Sequence, residues 1–258
     1  MRIIRSFLIA LSMYSKIPVP RCEWKEEDMR YIFIFFPLIG IVTGGLIYAW
    51  NYLCISFEFS DIFRVCITAA IPIAITGGIH IDGFMDTMDA LHSYRDREKK
   101  LEILKDPHIG AFSVIMLIFY ELLYIGFFST LHDTDAILVC CVTFVLSRCL
   151  SGLCAANFKS AREGTLNTFF ENSSKATVSI VLIIEALVCF VAMGLVNVFL
   201  AVGTLITALF TVFYYYLKTK KEFGGVTGDT AGYFLVILEG STLIAISIIS
   251  TVLKLTVK

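Results

Sequence analysis

Seven long apolar segments follow one another along this chain, and they restrict it to folds that a lipid bilayer accepts. Each is close to the ~20 residues that a helix needs to cross the hydrocarbon core. The chain is 57% hydrophobic, 17% charged and has a mean hydropathy of +0.81, which is more apolar than a soluble domain of 258 residues requires. We therefore predict one all-α polytopic membrane domain over residues 1–258. Its predicted spans are 31–55, 62–80, 110–131, 136–157, 177–195, 197–217 and 231–253.

The N-terminal segment has the composition of an interfacial helix. Met1–Pro20 combines Arg2 and Arg5 with an apolar run, but it has no small-residue cleavage site like that of a secretory signal peptide. We predict an amphipathic helix that lies on the membrane surface.

Lysine and arginine are distributed unevenly among the loops. The segment before the first span and the loops after the second, fourth and sixth spans are rich in them, whereas the loops after the third and fifth spans have none. The positive-inside rule then predicts a cytoplasmic N-terminus for a multi-pass protein of the cell membrane. It places three polar loops, 82–109, 158–176 and 218–230, on the cytoplasmic side, so we predict one site that faces the cytoplasm.

Three aspartates lie where the second apolar span ends. At about 100° per residue, Asp82, Asp86 and Asp89 fall within about 60° of one another on a helix, and Asp96 would join them if the helix continued. Clustered carboxylates repel one another unless a cation lies between them, and Mg²⁺ prefers oxygen ligands and substrate phosphates. The pattern therefore predicts a metal site that can hold a diphosphate.

The residues that follow the acids have two interpretations. The charged run at 98–100 is typical of a solvated helix, whereas Pro107 suits the first turn of the third span with Asp106 as its N-cap. Asp106 is also a candidate for metal or substrate contact. Lys105 and His108 are candidates for binding a phosphate.

A glycine-rich loop precedes the last span. Gly224, Gly225 and Gly228 let backbone N–H groups approach an anion, and the following helix adds the positive end of its dipole. Thr227 belongs to the same candidate substrate-binding loop. Asp229 is either the N-cap of that helix or a carboxylate that shares a metal.

Two arginines have separate interpretations. Arg162 lies in a polar loop, where a guanidinium group can bind phosphate oxygens in two places. Arg148 lies inside a span, where charge is costly, so it either has a function or pairs with Glu121 or Glu239.

Taken in order, these segments resemble the cobalamin synthase family, the adenosylcobinamide-GDP ribazoletransferases. The resemblance covers essentially the whole chain and is carried by the segments GGIHIDGFMDTMDAL, RDREKKLEILKDPHIGAF, AREG and GGVTGDT. The chain departs from the family pattern at Ala90, where a glycine is expected after the third acid.

The resemblance implies a reaction and its site residues. It implies that adenosylcobinamide-GDP and α-ribazole, or α-ribazole 5′-phosphate, are joined to give adenosylcobalamin, or its 5′-phosphate, and GMP, with Mg²⁺ as the metal. Asp82, Asp86 and Asp89 would be the metal-binding acids, and Asp89, the acid nearest the aqueous loop, is our candidate general base. Asp229 and the three loop glycines would form the second polar loop, and Asp106 and Arg162 also lie at family positions.

Other classes of membrane protein share some of these features. A prenyltransferase binds Mg²⁺-diphosphate through clustered aspartates, and a CDP-alcohol phosphotransferase performs a similar displacement. The alanine-arginine pair that the latter carries after its Asp-Gly start is replaced here by Phe84-Met85. A transporter or channel is disfavoured because the charged groups concentrate in loops on one side. We expect no nucleic-acid partner, and the sequence leaves open whether the chain forms a homo-oligomer.

Overall fold

The computed structural model describes residues 2–20, 28, 31–161 and 175–256. Within these ranges the chain forms ten α-helices, together with one isolated bridge between Ser160 and Val226. The helices are α1 (Arg2–Tyr14), α2 (Ile32–Ser56), α3 (Asp61–Thr76), α4 (Ile79–His92), α5 (Arg97–Ile103), α6 (Ala111–Phe128), α7 (Thr134–Asn157), α8 (Lys175–Val196), α9 (Val198–Glu222) and α10 (Gly228–Thr256).

The helix lengths confirm the predicted class, an all-α polytopic membrane protein. In the described part of the chain, α2, α6, α7, α8, α9 and α10 are each long and apolar enough to cross a membrane. Helices α3 and α4 together are a seventh candidate, but the two are bent by 96°. The predicted second span therefore ends too late, since α3 stops at Thr76 and the chain changes direction.

Two glycines make this change of direction. Gly77 has φ 66° and Gly78 has φ 82°, a left-handed conformation that side chains with a β-carbon rarely adopt. A β-carbon at Gly77 would also overlap the side chain of Lys16, whose backbone N–H donates to the Ile75 carbonyl oxygen at 2.8 Å. The turn directs α4 against α10 and α6 instead of continuing along the line of α3.

Helix α7 lies at the centre of the bundle and packs against α2, α8 and α10. Gly40 and Gly44 of α2 face its backbone so closely that a β-carbon would overlap the carbonyl groups of Phe144 and Cys141. Small residues at such contacts let two membrane helices approach closely, which strengthens their van der Waals packing.

Buried charge is paired across the bundle. Arg148 of α7 donates from Nη1 to the Oε1 atom of Glu239 on α10 at 3.0 Å, and the Ser147 hydroxyl donates to the same oxygen at 2.7 Å. Of the two partners predicted for Arg148, the structure therefore selects Glu239. An unpaired charge in the membrane interior is costly, and this ion pair avoids that cost. Because its two residues lie on different helices, the pair also links α7 to α10.

The N-terminal segment is helical, as predicted. Ile9 and Ala10 of α1 are fully buried, and Tyr14 packs against Phe36 of α2 with ring centroids 4.5 Å apart. Helix α1 is therefore part of the packed structure, and its location on the membrane surface stays a prediction.

Candidate active site

Three aspartates are carried by α4, and a fourth is brought to them by the crossing of α4 and α10. Gly83 lies at this crossing, where a β-carbon would be only 2.7 Å from the carbonyl oxygen of Asp229. Gly232 of α10 faces the same contact, since its β-carbon would lie 3.1 Å from the His80 carbonyl oxygen. The two glycines therefore allow Asp229 to approach the acidic face of α4.

Asp86 is at the centre of the resulting cluster. Asp82, Asp89 and Asp229 all lie close enough to Asp86 for their negative charges to repel its own. Asp82 is exposed, whereas Asp86 and Asp89 are half-buried. Four carboxylates gathered in this way form an edge of high negative potential that attracts a cation.

Asp89 also contacts the beginning of α6. Its carboxylate lies directly against Gly110, where a β-carbon would overlap both carboxylate oxygens. Gly110 is the N-cap of α6, and the N-terminus of a helix attracts negative charge. The contact fixes α4 relative to α6, and His92 stacks on Phe112 one turn further along, with ring centroids 5.2 Å apart.

The acids around Asp86 offer carboxylate oxygens, which are ligands that Mg²⁺ accepts. Within the described ranges, no three His, Cys, Asp or Glu side chains converge tightly enough to hold a metal ion by themselves. Mg²⁺ commonly binds through one or two carboxylates, with waters and substrate phosphates as its other ligands. The all-carboxylate donor set around Asp86 fits that mode of binding.

The glycine-rich loop is held in place by its own backbone and by a neighbouring segment. Val226 N–H donates to the Lys159 carbonyl oxygen at 2.8 Å, and Ala161 N–H donates to the Val226 carbonyl oxygen at 2.9 Å. Gly225 packs against this segment so closely that a side chain would overlap its backbone. Gly228 is exposed at the start of α10, and a β-carbon there would meet open space.

The structure decides which residue caps α10. The hydroxyl of Thr227 accepts from Thr230 N–H at 3.2 Å, and Thr227 N–H donates to the Thr230 hydroxyl at 2.8 Å. Thr227 is buried and serves as the N-cap, so the interpretation of Asp229 as the cap is wrong. The Asp229 carboxylate lies in the first turn of α10, beside the acids of α4.

Asp96 and Asp106 occupy places that sequence reasoning did not predict. Helix α4 ends at His92, so Asp96 does not join the acidic face; it caps α5 by accepting from Lys99 N–H at 2.9 Å. Helix α6 begins at Ala111, so Asp106 is not its cap. Instead, Asp106 accepts hydrogen bonds from the backbone and ring of His108, and these bonds lower the pKa of its carboxyl group.

The remaining predicted contacts lie at the edge of the site or beyond it. Lys105, Asp106 and His108 are exposed in the loop between α5 and α6. Arg162 lies outside the described residues, although Ala161 just before it bonds to Val226 of the glycine-rich loop. The positions of these residues do not test the roles assigned to them, so those roles stay predictions.

Sequence reasoning missed two features of this region. The guanidinium group of Arg97 lies over Gly224, with Nη1 3.1 Å from the position that a β-carbon would take. A cavity lined by Tyr14, Phe33, Phe36 and His80 opens beside Asp82 and Asp229. His80 could have been suspected from its place two residues before Asp82, but aromatic residues in an apolar chain are indistinguishable from ordinary core residues.

Comparison with known proteins agrees with this arrangement of motifs. Residues 6–247 match the model of a protein family described as cobalamin-5-phosphate synthase. The chain belongs to this family. It is therefore a membrane-embedded transferase of cobalamin biosynthesis, as the motifs predicted.

Curated relatives cover nearly the whole chain. A protein of Lachnoclostridium phytofermentans named adenosylcobinamide-GDP ribazoletransferase is 45% identical over 240 residues, which are 93% of this chain and 92% of the relative. A protein of the same name from Clostridium perfringens is 33% identical over 246 residues, covering 93% of this chain and 96% of the relative. No solved structure matches the chain.

Proposed function

We propose that this cobalamin-5-phosphate synthase family member joins adenosylcobinamide-GDP to α-ribazole, or to α-ribazole 5′-phosphate, and releases GMP. The names of the relatives support these substrates. The approach of Asp229 to the acidic face of α4 is the observation that carries the proposal, because it gathers four carboxylates at the end of the bundle where the polar loops meet.

The reaction is a displacement at phosphorus. The ribose 3′-hydroxyl of α-ribazole attacks the phosphorus atom that is joined to the aminopropanol arm of cobinamide. A new P–O bond forms, the bond to the bridging oxygen breaks, GMP leaves with that oxygen, and the hydroxyl proton passes to a base. We assign this base to Asp89, whose half-buried carboxylate is held against the N-terminus of α6.

Asp82, Asp86 and Asp229 have the complementary task of positioning the diphosphate. We propose that Asp82 and Asp86, together with Asp89 or Asp229, would hold Mg²⁺. Magnesium, when bound, neutralises the diphosphate charge and makes GMP a better leaving group. The backbone at Gly224 and Gly228 faces the anionic part of the substrate in this proposal, whereas Gly225 is buried and its N–H donates to the Thr219 carbonyl oxygen.

Basic side chains in the polar loops are candidates for contact with the substrate phosphates. Arg97 lies over Gly224, and Arg162 follows directly after the segment that is bonded to Val226. Lys105 and His108 add cationic groups in the exposed loop before α6. We propose that these residues contact the GDP phosphates, since guanidinium groups match phosphate geometry.

The distribution of lysine and arginine supports a cytoplasmic location for this end of the bundle. Adenosylcobinamide-GDP is large and charged and α-ribazole is polar, and a site on the cytoplasmic face of the cell membrane lets them reach it without crossing the bilayer. The lipid bilayer around the spans is then a further partner of the protein, besides its two substrates.

A reconstitution assay tests the function. Membranes that contain the protein are incubated with adenosylcobinamide-GDP, α-ribazole and Mg²⁺, and adenosylcobalamin and GMP are measured. We expect equal amounts of both products, no product when Mg²⁺ is chelated, and none with Asp82→Ala or Asp86→Ala in membranes that hold normal amounts of protein. Near-normal turnover in either variant would remove the metal assignment. Absence of both products with the unchanged chain would remove the function.

A further inference from the structure

A cavity of about 200 Å³ opens beside the acidic cluster. It lies among the start of α2, the last turns of α7 and the first turns of α4 and α10, and Asp82 and Asp229 stand at its edge. The proposed reaction uses these carboxylates, but none of its steps involves the cavity beside them.

The walls of the cavity are mostly aromatic and aliphatic. Tyr14, Phe33 and Phe36 form one side, with the Phe33 and Phe36 rings perpendicular and their centroids 6.4 Å apart. Leu235 of α10 and Ala155 of α7 contribute apolar surface on the other sides. Stacked and edge-on ring contacts of this kind suit a flat aromatic ligand.

Two polar groups interrupt the apolar wall. Ser151 is only 4% exposed and lines the cavity. His80 also lines it, and in the described part of the chain its buried Nε2 atom has no hydrogen-bond partner. A buried polar atom without a partner is costly, so a ligand that offers one hydrogen bond to this wall would relieve that cost.

Size and polarity distinguish among the parts of the two substrates. The corrin ring is far larger than the cavity. Guanine carries several donors and acceptors on its edge, and burying them against an apolar wall leaves most of them unpaired. The benzimidazole base of α-ribazole is a flat, apolar bicycle with a single free ring nitrogen as acceptor, and it matches both the volume and the sparse polar groups.

We propose that this cavity binds the base of α-ribazole. The ribose then lies at the edge of the cavity, between the base and the acidic face of α4, and Ser151 or His80 donates to the ring nitrogen. This inference rests on the proposed function, because it assumes that α-ribazole is a substrate. It makes the cavity the element that selects the lower-ligand base.

Filling the cavity from Ala155 tests this assignment. Ala155→Leu removes volume from the wall, so it should penalise the 5,6-dimethylbenzimidazole nucleoside more than the smaller, unsubstituted benzimidazole nucleoside. We expect the ratio of their kcat/KM values to fall about tenfold relative to the unchanged chain, because a methyl group in an apolar pocket discriminates by about that factor. The KM for adenosylcobinamide-GDP should stay within about twofold.

Ala156→Leu is the matched control. Ala156 is equally buried on the same helix, at 4% exposure against 8% for Ala155, but it does not line the cavity. Overpacking at this position should affect both nucleosides by the same factor. If Ala155→Leu does not accumulate, Ala231→Leu fills the cavity from α10 and should give the same change of ratio.

The outcomes separate the inference from the function. An unchanged nucleoside ratio in both filling variants, or a rise confined to the KM for adenosylcobinamide-GDP, would overturn the base pocket while cobalamin formation by the unchanged chain still supports the function. A chain that forms no cobalamin from either nucleoside would overturn the proposed function itself.

Discussion

At the scale of single residues, Asp86 lies at the centre of the acidic cluster. It is half-buried, and three other carboxylates repel its charge. We expect Asp86→Asn and Asp229→Asn each to reduce kcat at least about a hundredfold, or about 2.7 kcal/mol, because each removes charge that positions the diphosphate. GMP release by the purified protein at saturating substrate measures this effect.

The double variant tests whether the two acids act together. Residues that act as a unit give grossly non-additive losses, so Asp86→Asn with Asp229→Asn should lose little more than either single variant. Asp135→Asn is the control, since Asp135 is exposed in the first turn of α7, outside the acidic cluster. Multiplication of the two single losses would show that the acids work independently.

At the scale of helices, the crossing of α4 and α10 positions the site. A β-carbon at Gly83 would lie 2.7 Å from the carbonyl oxygen of Asp229, so Gly83→Ala must move one helix away from the other. We expect about a hundredfold loss of kcat/KM, the order of loss that a small misplacement of reacting groups causes. The same activity assay applies, with protein amounts in the membrane measured in parallel.

Gly45→Ala supplies the comparison for this variant. Gly45 lies in the membrane helix α2, and a β-carbon there would meet nothing within 4 Å. Its activity should equal that of the unchanged chain. If Gly83→Ala were equally active, the close approach of α4 to α10 would not be needed for catalysis.

At the scale of the whole molecule, the buried pair of Arg148 and Glu239 joins two central helices. Arg148→Met leaves the Glu239 carboxylate buried without its cation, and we expect it to lower the free energy of unfolding by about 3 kcal/mol. Arg148→Met with Glu239→Leu replaces both charges by apolar groups and should recover most of that loss. Thermal unfolding of the purified protein in detergent compares the variants, and a double variant as unstable as the single one would contradict this account.

The orientation of the chain in the membrane is also a property of the whole molecule. Glu98 on α5 and Asp135 at the start of α7 are both exposed, and α7 follows α6, a span that begins at the site end of the bundle. In a chain without its native cysteines, Glu98→Cys should be protected from an impermeant thiol reagent in intact cells, and Asp135→Cys should be labelled. The reverse pattern would place the site outside the cytoplasm.

Local patterns anticipated much of the acidic helix. The 3.6-residue period placed Asp82, Asp86 and Asp89 on one face, and the structure has all three in a single helix, Ile79–His92. The helix ends were different: Asp96 lies beyond the end of the acidic helix, and the interpretation of Asp106 as the N-cap of the third span was wrong. Asp96 and Asp106 each had a side chain suited to capping, but the hydrogen bonds that they make depend on where neighbouring helices force the chain to turn.

The class of the protein follows from its sequence, because an apolar segment about 20 residues long satisfies its backbone hydrogen bonds in a bilayer by forming a helix. The sequence also determined the family, through motifs whose order and spacing survive in the linear chain. Only the three-dimensional packing brings Asp229 near enough to Asp86 for their charges to repel and opens an aromatic cavity beside Asp82 and Asp229. Both depend on glycines that bend α3 into α4 and let α4 cross α10, and contacts between residues so distant in sequence are set by packing in three dimensions, which no local pattern records.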